Sequence, residues 1–415
     1  MKPTMARLRG FMKVTSVDEA LRKLASYVKL AVLEPEIVTL NEAFGRVLAV
    51  DITAPHDLPN FDRSAVDGYA VFASDTFGAS EFHPKKIRLV TGNRIKSGVA
   101  VRAWTGSAMP VGADAVVMLE FVRQQEDSIE VLKPVVPGQN VSPKGEDIRL
   151  GEVALKKGQR LRPQDLGLIA ALGFVQVKVV QKPKVAVLST GDELVELGSL
   201  PKIGQVIDVN RLILQAMIKE LGGAFEDLGI VKDELNEIVK RIAAGLATAD
   251  MVITSGGTSA GQLDLVPDTI NKLGKPGMIV HGVAMRPGRP TGLAVVDGKP
   301  ILTCPGNPVA AMFSFDVFAR PLILRMLGIA DEPRPTVNAK LTRRIASTLG
   351  TKVFLRVWVF EKNGKLYAEP IRTTGASILT TMTKANGYVV IPETQEFLEA
   401  DETVTVHLLS PVGGG

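Results

Sequence analysis

Cysteine occurs once in these 415 residues, at Cys304, so no intramolecular disulfide can form and a reducing compartment is expected. The four histidines, His56, His83, His281 and His407, are scattered without metal-ligand spacing. No nucleophile–histidine pairing can be inferred, so covalent catalysis of that type has no support. No run of lysines and arginines interleaved with aromatics appears, which argues against nucleic-acid binding. No apolar stretch is long enough to cross a bilayer; Leu166–Val180 is broken by Gln176 and Lys178. Met1–Val14 is basic but has no apolar core of signal-peptide length ahead of Ser16 and Asp18. A cytoplasmic protein with no nucleic-acid or membrane partner is expected.

What is present is an ordinary globular composition, 46% hydrophobic and 22% charged, able to bury sizeable cores. The length implies roughly two to four domains. A net charge of +5 fits solubility or the attraction of an anionic small substrate.

Ser16–Tyr27 carries Val17, Ala20, Leu21 and Leu24 at helical spacing, with Ser16 as N-cap. A second short helix is expected over Leu40–Val47, capped by Asn41. From Ile52 to Asp147 short strand-like pieces alternate with Gly, Pro and Asp, and Ala115–Val122 with Ser128–Leu132 reads as a hairpin. Helical character returns at Pro163–Leu172. From Lys184 strands (Val185–Leu188, Phe225–Ile230, Met251–Thr254, Ile301–Cys304) alternate with helices (Val209–Leu221, Asp233–Ala244, Val266–Leu273, Val309–Leu327), the signature of an α/β domain with a largely parallel sheet. Beyond the linker Asp331–Pro335 the chain reads as all β, with Asn363-Gly364 as a hairpin turn. The expected organisation is a helical linker domain (13–51 with 148–180), an inserted β-rich domain (52–147), an α/β domain (181–330) and a C-terminal β-barrel-like domain (331–411).

Between Val185 and Pro308 the apolar runs each end in a turn rich in glycine or proline and in acids, hydroxyls or arginines. In an open parallel sheet such turns lie at the carboxyl ends of the strands, where ligands bind. Ser189-Thr-Gly-Asp-Glu193 offers grouped carboxylates for a hard cation, or acids that cap the next helix. Ser255-Gly256-Gly257-Thr258-Ser259 offers backbone amides and hydroxyls to an anion; lacking a Gly-Lys-Ser/Thr ending, it is not a P-loop. Asp264 is placed either to cap the following helix or to bind metal. Arg286-Pro-Gly-Arg289 sets two guanidinium groups on a stiff loop suited to an oxyanion, or forms a solvated surface turn. Pro305-Gly306-Asn307-Pro308 closes the series. Cys304, ending a strand, reads as a small buried hydrophobe.

Together with Phe61-Asp-Arg-Ser-Ala-Val-Asp67-Gly-Tyr-Ala70, Thr105-Gly and Gly145-Glu-Asp147-Ile148, these motifs resemble the molybdopterin molybdenumtransferase family, which includes MoeA and the E domain of gephyrin. They run in the family's order over nearly the whole chain. The resemblance implies a molybdopterin-binding α/β domain and a Mg2+-dependent enzyme of molybdenum cofactor biosynthesis. Its reaction would insert molybdate or tungstate into adenylylated molybdopterin with release of AMP. It further implies an elongated homodimer whose active cleft is shared between subunits, and molybdopterin adenylyltransferase as a partner. Carried over by motif, the catalytic positions are Asp67, Thr105, Asp147, Glu193, Asp233 and Asp264, with Glu193, Asp233 and Asp264 as metal ligands. Ser255 to Ser259, Arg286, Arg289, Pro305, Gly306, Asn307 and Arg356 would bind substrate or anion. The chain departs from the family's pattern where Arg286 and Arg289 replace lysines, where Arg63 replaces asparagine, and where Gly375-Ala-Ser377 replaces Gly-Ser. The related molybdopterin adenylyltransferase shares the α/β domain but does not need Phe61–Ala70 or Val337–Leu409; a gephyrin-like scaffold is the other alternative.

Overall fold

The computed structural model describes residues 14–256, 265–330, 332–371 and 377–412. The chain divides into two compact units, residues 37–179 and residues 1–36 with 180–415.

Within the first unit, a six-stranded sheet is built from β1 (Gly68–Val71), β2 (Lys85–Val90), β3 (Val99–Ala103), β4 (Ala115–Met118), β5 (Val122–Gln124) and β6 (Ser128–Val131). Its order is β4-β1-β3-β2-β6-β5. Strand β1 is buried at every position and lies between β4 and β3. A Cβ at residue 68 would stand 2.0 Å from the carbonyl oxygen of Val117, so only glycine lets these two strands meet. The expected hairpin is shorter than read. Ala115–Met118 pairs with β1, a single 3-10 turn over Leu119–Phe121 intervenes, and only β5 pairs with β6. The physical reason is that Ala115, Val116 and Val117 are all fully buried, which suits an interior strand better than a two-stranded ribbon.

Flanking segments of the same unit share a second core, with Ala43, Leu48 and Ile52 packed among Leu161, Ile169 and Val179. The helix expected over Leu40–Val47 is only the 3-10 turn Leu40–Glu42. The backbone N–H and hydroxyl of Thr39 both donate to the Glu42 carboxylate, and Gly45, at φ +73°, turns the chain away.

In the second unit the α/β sheet comprises β7 (Lys184–Thr190), β8 (Ala224–Val231), β9 (Met251–Ser255), β10 (Pro276–His281), β11 (Gly292–Val296) and β12 (Lys299–Cys304), in the order β8-β7-β9-β12-β11-β10. The first four in that order run parallel; β11 and β10 are antiparallel additions. Helix α1 (Val17–Tyr27) starts at Ser16, whose hydroxyl accepts from the N–H of Glu19. It lies against β10 and β11 of this sheet, not with residues 148–180 as expected, and buries Val17, Ala20 and Leu24 there. Helices α2 (Asn210–Glu220), α3 (Leu235–Thr248), α4 (Leu265–Leu273) and α5 (Pro308–Ser314) complete the layers. The long helix expected to Leu327 contains a π-helical stretch, Phe315–Ala319, just before Pro321.

The C-terminal strands β13 (Thr336–Leu341), β14 (Lys352–Lys362), β15 (Lys365–Pro370), β16 (Gly387–Ile391) and β17 (Thr403–Leu408) pair in the order β14-β15-β13-β17-β16. Pairing of β14 with β16 closes a five-stranded barrel. Asn363 and Gly364 take φ of +54° and +70° and make the tight β14–β15 turn read from sequence. The two-residue strand Met285–Arg286 adds in parallel to β14, so the arginine loop belongs as much to the barrel as to the α/β sheet.

The barrel is fastened to α5 by aromatics. Phe313 is 3% exposed, stacks on Phe354 at 5.1 Å between centroids and meets Tyr388 edge-on at 5.3 Å. Phe313→Ala is expected to cost about 3–5 kcal/mol of stability, read from the midpoint of urea unfolding. A loss within ~1 kcal/mol would show that this contact does not hold barrel to sheet.

Candidate active site

Two separate constellations carry the residues singled out by sequence, one in each unit. In the α/β unit they gather at the carboxyl edge of β7, β9 and β12. There Thr190, Glu193, Asn210, Ser255, Gly256, Pro305, Gly306 and Asn307 line one cavity of about 640 Å3. The close approach of two strand ends shapes it. A Cβ on Gly256 (φ +91°) would sit 2.1 Å from the carbonyl oxygen of Thr190, so β7 and β9 can come together only above a glycine. The Gly256 N–H donates to the carbonyl of Cys304, tying the next strand end to the same point.

Asn210, which sequence reading did not pick out, bridges the loops. Its side-chain amide, 6% exposed at the start of α2, donates to the hydroxyl of Ser255 at 2.7 Å and to the carbonyl of Gly306 at 2.8 Å. Its only sequence signal was an amide in Asp208-Val-Asn210 at the start of an expected helix. Ser377, the remaining serine of Gly375-Ala-Ser377, lines the same cavity. Among the described residues, the hydroxyls of Ser189, Thr190 and Thr254 and the side-chain oxygen of Asn210 are buried without a hydrogen-bond partner. Buried polar atoms are normally satisfied, so such a group at one sheet edge suits a polar ligand.

Gly257, Thr258, Ser259 and Asp264 lie outside the described residues, as do Gly375 and Ala376. Glu193 is exposed at the cavity rim and folds its carboxylate over Gly191, where a Cβ would lie 2.8 Å from both oxygens. Asp233 precedes α3 in the loop after β8 instead of opening the helix, and its N–H donates to the Asp192 carboxylate at 3.3 Å. Desolvation, with Asp192 and Glu193 nearby, pushes the Asp233 carboxyl above its ordinary range. Among the described residues, no group of three or more His, Cys, Asp or Glu has metal-holding geometry.

Arg286 and Arg289 are both exposed. Their loop is fixed from beneath: the hydroxyl of Thr291 donates to the Gly288 carbonyl at 2.6 Å and meets that of Ser314 at 2.6 Å. Arg356 lies within β14, 4% exposed, where burial draws its guanidinium below its ordinary value. Cys304 is fully buried, as read from sequence, and desolvation pushes its thiol far above the usual range.

The other constellation surrounds Asp67, at the entry to β1. Its carboxylate accepts from both the N–H and the hydroxyl of Thr105, each at 2.7 Å. These bonds, the backbone one foremost, hold the carboxyl below its ordinary range. Buried Ser64 connects the neighbouring turns: its N–H donates to Ser107, and its carbonyl accepts from Gly106. Arg63–Ser64 also pairs with Val141–Ser142, from which the chain runs to exposed Asp147. The N–H of Lys144 caps the Asp62 carboxylate at 2.7 Å. Asp67 and Thr105 are thus in contact, and Asp147 is on a segment stitched to theirs.

A largely parallel sheet with glycine-rich, hydroxyl-rich loops at its carboxyl edge defines a ligand-binding α/β domain, and residues 186–325 match a family described as a probable molybdopterin binding domain. Residues 15–173 match the MoeA N-terminal region (domains I and II), and residues 338–409 match the MoeA C-terminal region (domain IV). The chain belongs to the MoeA family of molybdenum cofactor biosynthesis proteins. It is 38% identical to a putative molybdopterin biosynthesis protein of Methanocaldococcus jannaschii, over 98% of this chain and 100% of that one. It is 33% identical to the molybdopterin molybdenumtransferase of Bacillus subtilis, over 96% and 95%. The crystal structure of a molybdopterin biosynthesis MoeA protein from Pyrococcus horikoshii superposes with a TM-score of 0.81 at 34% identity, covering 95% of this chain and all of that one.

Two outcomes test this geometry. Asn210→Leu leaves the Ser255 hydroxyl and the Gly306 carbonyl without their donor, and about 1–3 kcal/mol of stability should be lost in urea titration. For Asp233 the folded value is raised, so the folded state keeps that proton longer than the unfolded chain, and stability falls as pH rises through the window above the ordinary aspartate value. Asp233→Asn should therefore raise the melting temperature at pH 7 with chelator present. The gain should vanish below about pH 4, where the carboxyl is protonated in both states. An equal gain at both pH values would refute the raised Asp233 carboxyl.

Proposed function

We propose that the chain is a molybdopterin molybdenumtransferase that inserts molybdate or tungstate into adenylylated molybdopterin and releases AMP. The single observation that supports this most is the cavity at the α/β carboxyl edge, where glycine-rich turns, hydroxyls and Glu193 converge in a chain of this family. Adenylyl transfer to molybdopterin is disfavoured, because the chain carries the MoeA-type regions 15–173 and 338–409 beside its α/β domain.

Ser255 offers its hydroxyl, held in position by Asn210, to substrate phosphate beside the Gly256 turn that lines the cavity. Arg286 and Arg289 supply solvent-facing guanidinium groups on an immobilised loop, suited to an incoming tetrahedral oxyanion. Arg356 adds a third, buried cation on the strand that pairs with Arg286. Glu193 and Asp233 would hold Mg2+, together with Asp264; carboxylate oxygens suit this cation, which is commonly bound through one or two protein carboxylates plus phosphate and water. Burial foremost, with the charges of Asp192 and Glu193 added, raises the Asp233 carboxyl, a penalty on its charged form that a cation would relieve. Bound there, the metal would neutralise charge on the cleaved pyrophosphate. Asp67, held ionised by Thr105, and Asp147 would serve the same reaction from the β-rich domain. The single cysteine of the chain, with its thiol buried, agrees with a cytoplasmic place of work. We take the working state to be a homodimer, which solution mass measurement decides.

The test is AMP release from adenylylated molybdopterin with Mg2+ and each oxyanion. Glu193→Gln should slow release at least about a hundredfold while shifting the melting temperature little. Arg286→Ala should raise the molybdate concentration needed for half-maximal turnover, with Arg286→Lys closer to wild type. Near-normal release by Glu193→Gln, or an oxyanion dependence untouched in Arg286→Ala, would remove those assignments.

A further inference from the structure

Next in the chain to Thr105 of the Asp67–Thr105 pair stands an indole. Trp104 is 56% exposed although it follows directly on buried β3. An exposed tryptophan on a loose loop would mean little, but this one sits on a hydrogen-bonded turn with one ring face covered. Its backbone N–H donates to the Ser107 hydroxyl at 3.0 Å, and its backbone carbonyl accepts from the Ser107 N–H at 2.8 Å, a tight turn with Gly106 at φ +83°. The guanidinium of Arg102 lies over its ring, 4.5 Å from the centroid. The same guanidinium lies over the ring of Tyr69 at 4.9 Å and donates to the Tyr69 hydroxyl at 2.7 Å. Tyr69, 1% exposed, is anchored in turn by donating to Gln124 at 2.6 Å. Arg102 and Tyr69 are register partners on β3 and β1, so the stack is built on the sheet itself.

A ring held this way presents a flat apolar face at almost no cost in side-chain entropy. Its other face is occupied by a delocalised cation. The next residue in the chain, Thr105, binds the Asp67 carboxylate through both its N–H and its hydroxyl. The surface therefore combines a rigid aromatic plane with a hydrogen-bonding carboxylate, the pairing that recognises a flat, nitrogen-rich ring carrying N–H donors at its edge.

We propose that Trp104, backed by Arg102 and Tyr69, is a stacking platform for the fused nitrogen heterocycle of the substrate. The platform rests on the transferase reading for its ligand. Two parts of an adenylylated pterin share this chemistry, the adenine and the pterin, and separate probes tell them apart.

The experiment is equilibrium dialysis of the full-length protein against AMP, against a free pterin such as 6-carboxypterin, and against ribose 5-phosphate, which has no ring system. Trp104→Ala should weaken binding of AMP or of the pterin roughly tenfold or more while leaving ribose 5-phosphate unchanged. Trp104→Phe should restore most of the loss, and the affected probe identifies the ring. In the AMP-release assay the same Trp104→Ala substitution should raise KM far more than it lowers kcat. If neither ring probe binds the wild type, or both bind Trp104→Ala and wild type alike, the platform is wrong even if AMP release is robust. If ring binding depends on Trp104 but the wild type releases no AMP under any condition, the platform stands and the transferase reading fails.

Discussion

The α/β half of this protein depends on how three parallel strand ends are closed. At the carboxyl edge of a parallel sheet each strand stops with backbone groups that the ladder no longer satisfies, and β7, β9 and β12 stop side by side. The Gly256 N–H reaches across to Cys304, and the Asn210 amide joins Ser255 to Gly306. These bonds convert three loose turns into one floor. They also explain the glycines: at Gly256 a side chain would collide with the Thr190 carbonyl, and the floor could not close.

The β-rich domain solves a similar problem by different means. The Asp67 carboxylate sits where β1 enters the sheet, and Gly68 follows because the strand must pass within contact of Val117. The carboxylate is then taken up by Thr105 from the end of β3, the register neighbour of β1. Ionisation of Asp67 and rigidity of the turn that carries Trp104 thus share one origin, the pairing of two strands. In the α/β domain the acids are arranged in the opposite sense: Asp233 is partly buried beside Asp192 and Glu193, and desolvation first, their charge second, raises its carboxyl. One carboxylate is held charged by donors, while the other is pushed toward its protonated form.

Much of the architecture could be read from the chain. Alternating apolar runs and helical periodicity marked the parallel strands and α2 to α5, and Asn363-Gly364 marked the β14–β15 turn. Errors came where local pattern met tertiary context. Leu40–Val47 had helical spacing, yet Gly45 and the Thr39–Glu42 contacts leave one 3-10 turn. Ala115–Met118 looked like half of a hairpin because its neighbour in sequence was a strand, but its apolar faces put it inside the sheet. Helix α1 was legible as a helix, whereas its docking on β10 and β11 was not, since an apolar stripe says that a face must be covered and not by what.

By itself, then, the sequence determined the parallel strands and most of the helices, which turns bear acids, hydroxyls or arginines, and which family they resemble. Those properties are local: periodicity, glycine and proline placement, and charge within a few residues. Only the tertiary structure decided that Thr105 binds Asp67 across 38 residues and that Asn210 joins loops 45 and 96 residues away. It likewise set Arg102 against both Tyr69 and Trp104. Each of these contacts depends on strand register, and a shift of a single residue would turn every side chain to the opposite face of its sheet. Register is settled by the packing of the whole core, so no short stretch of sequence contains it.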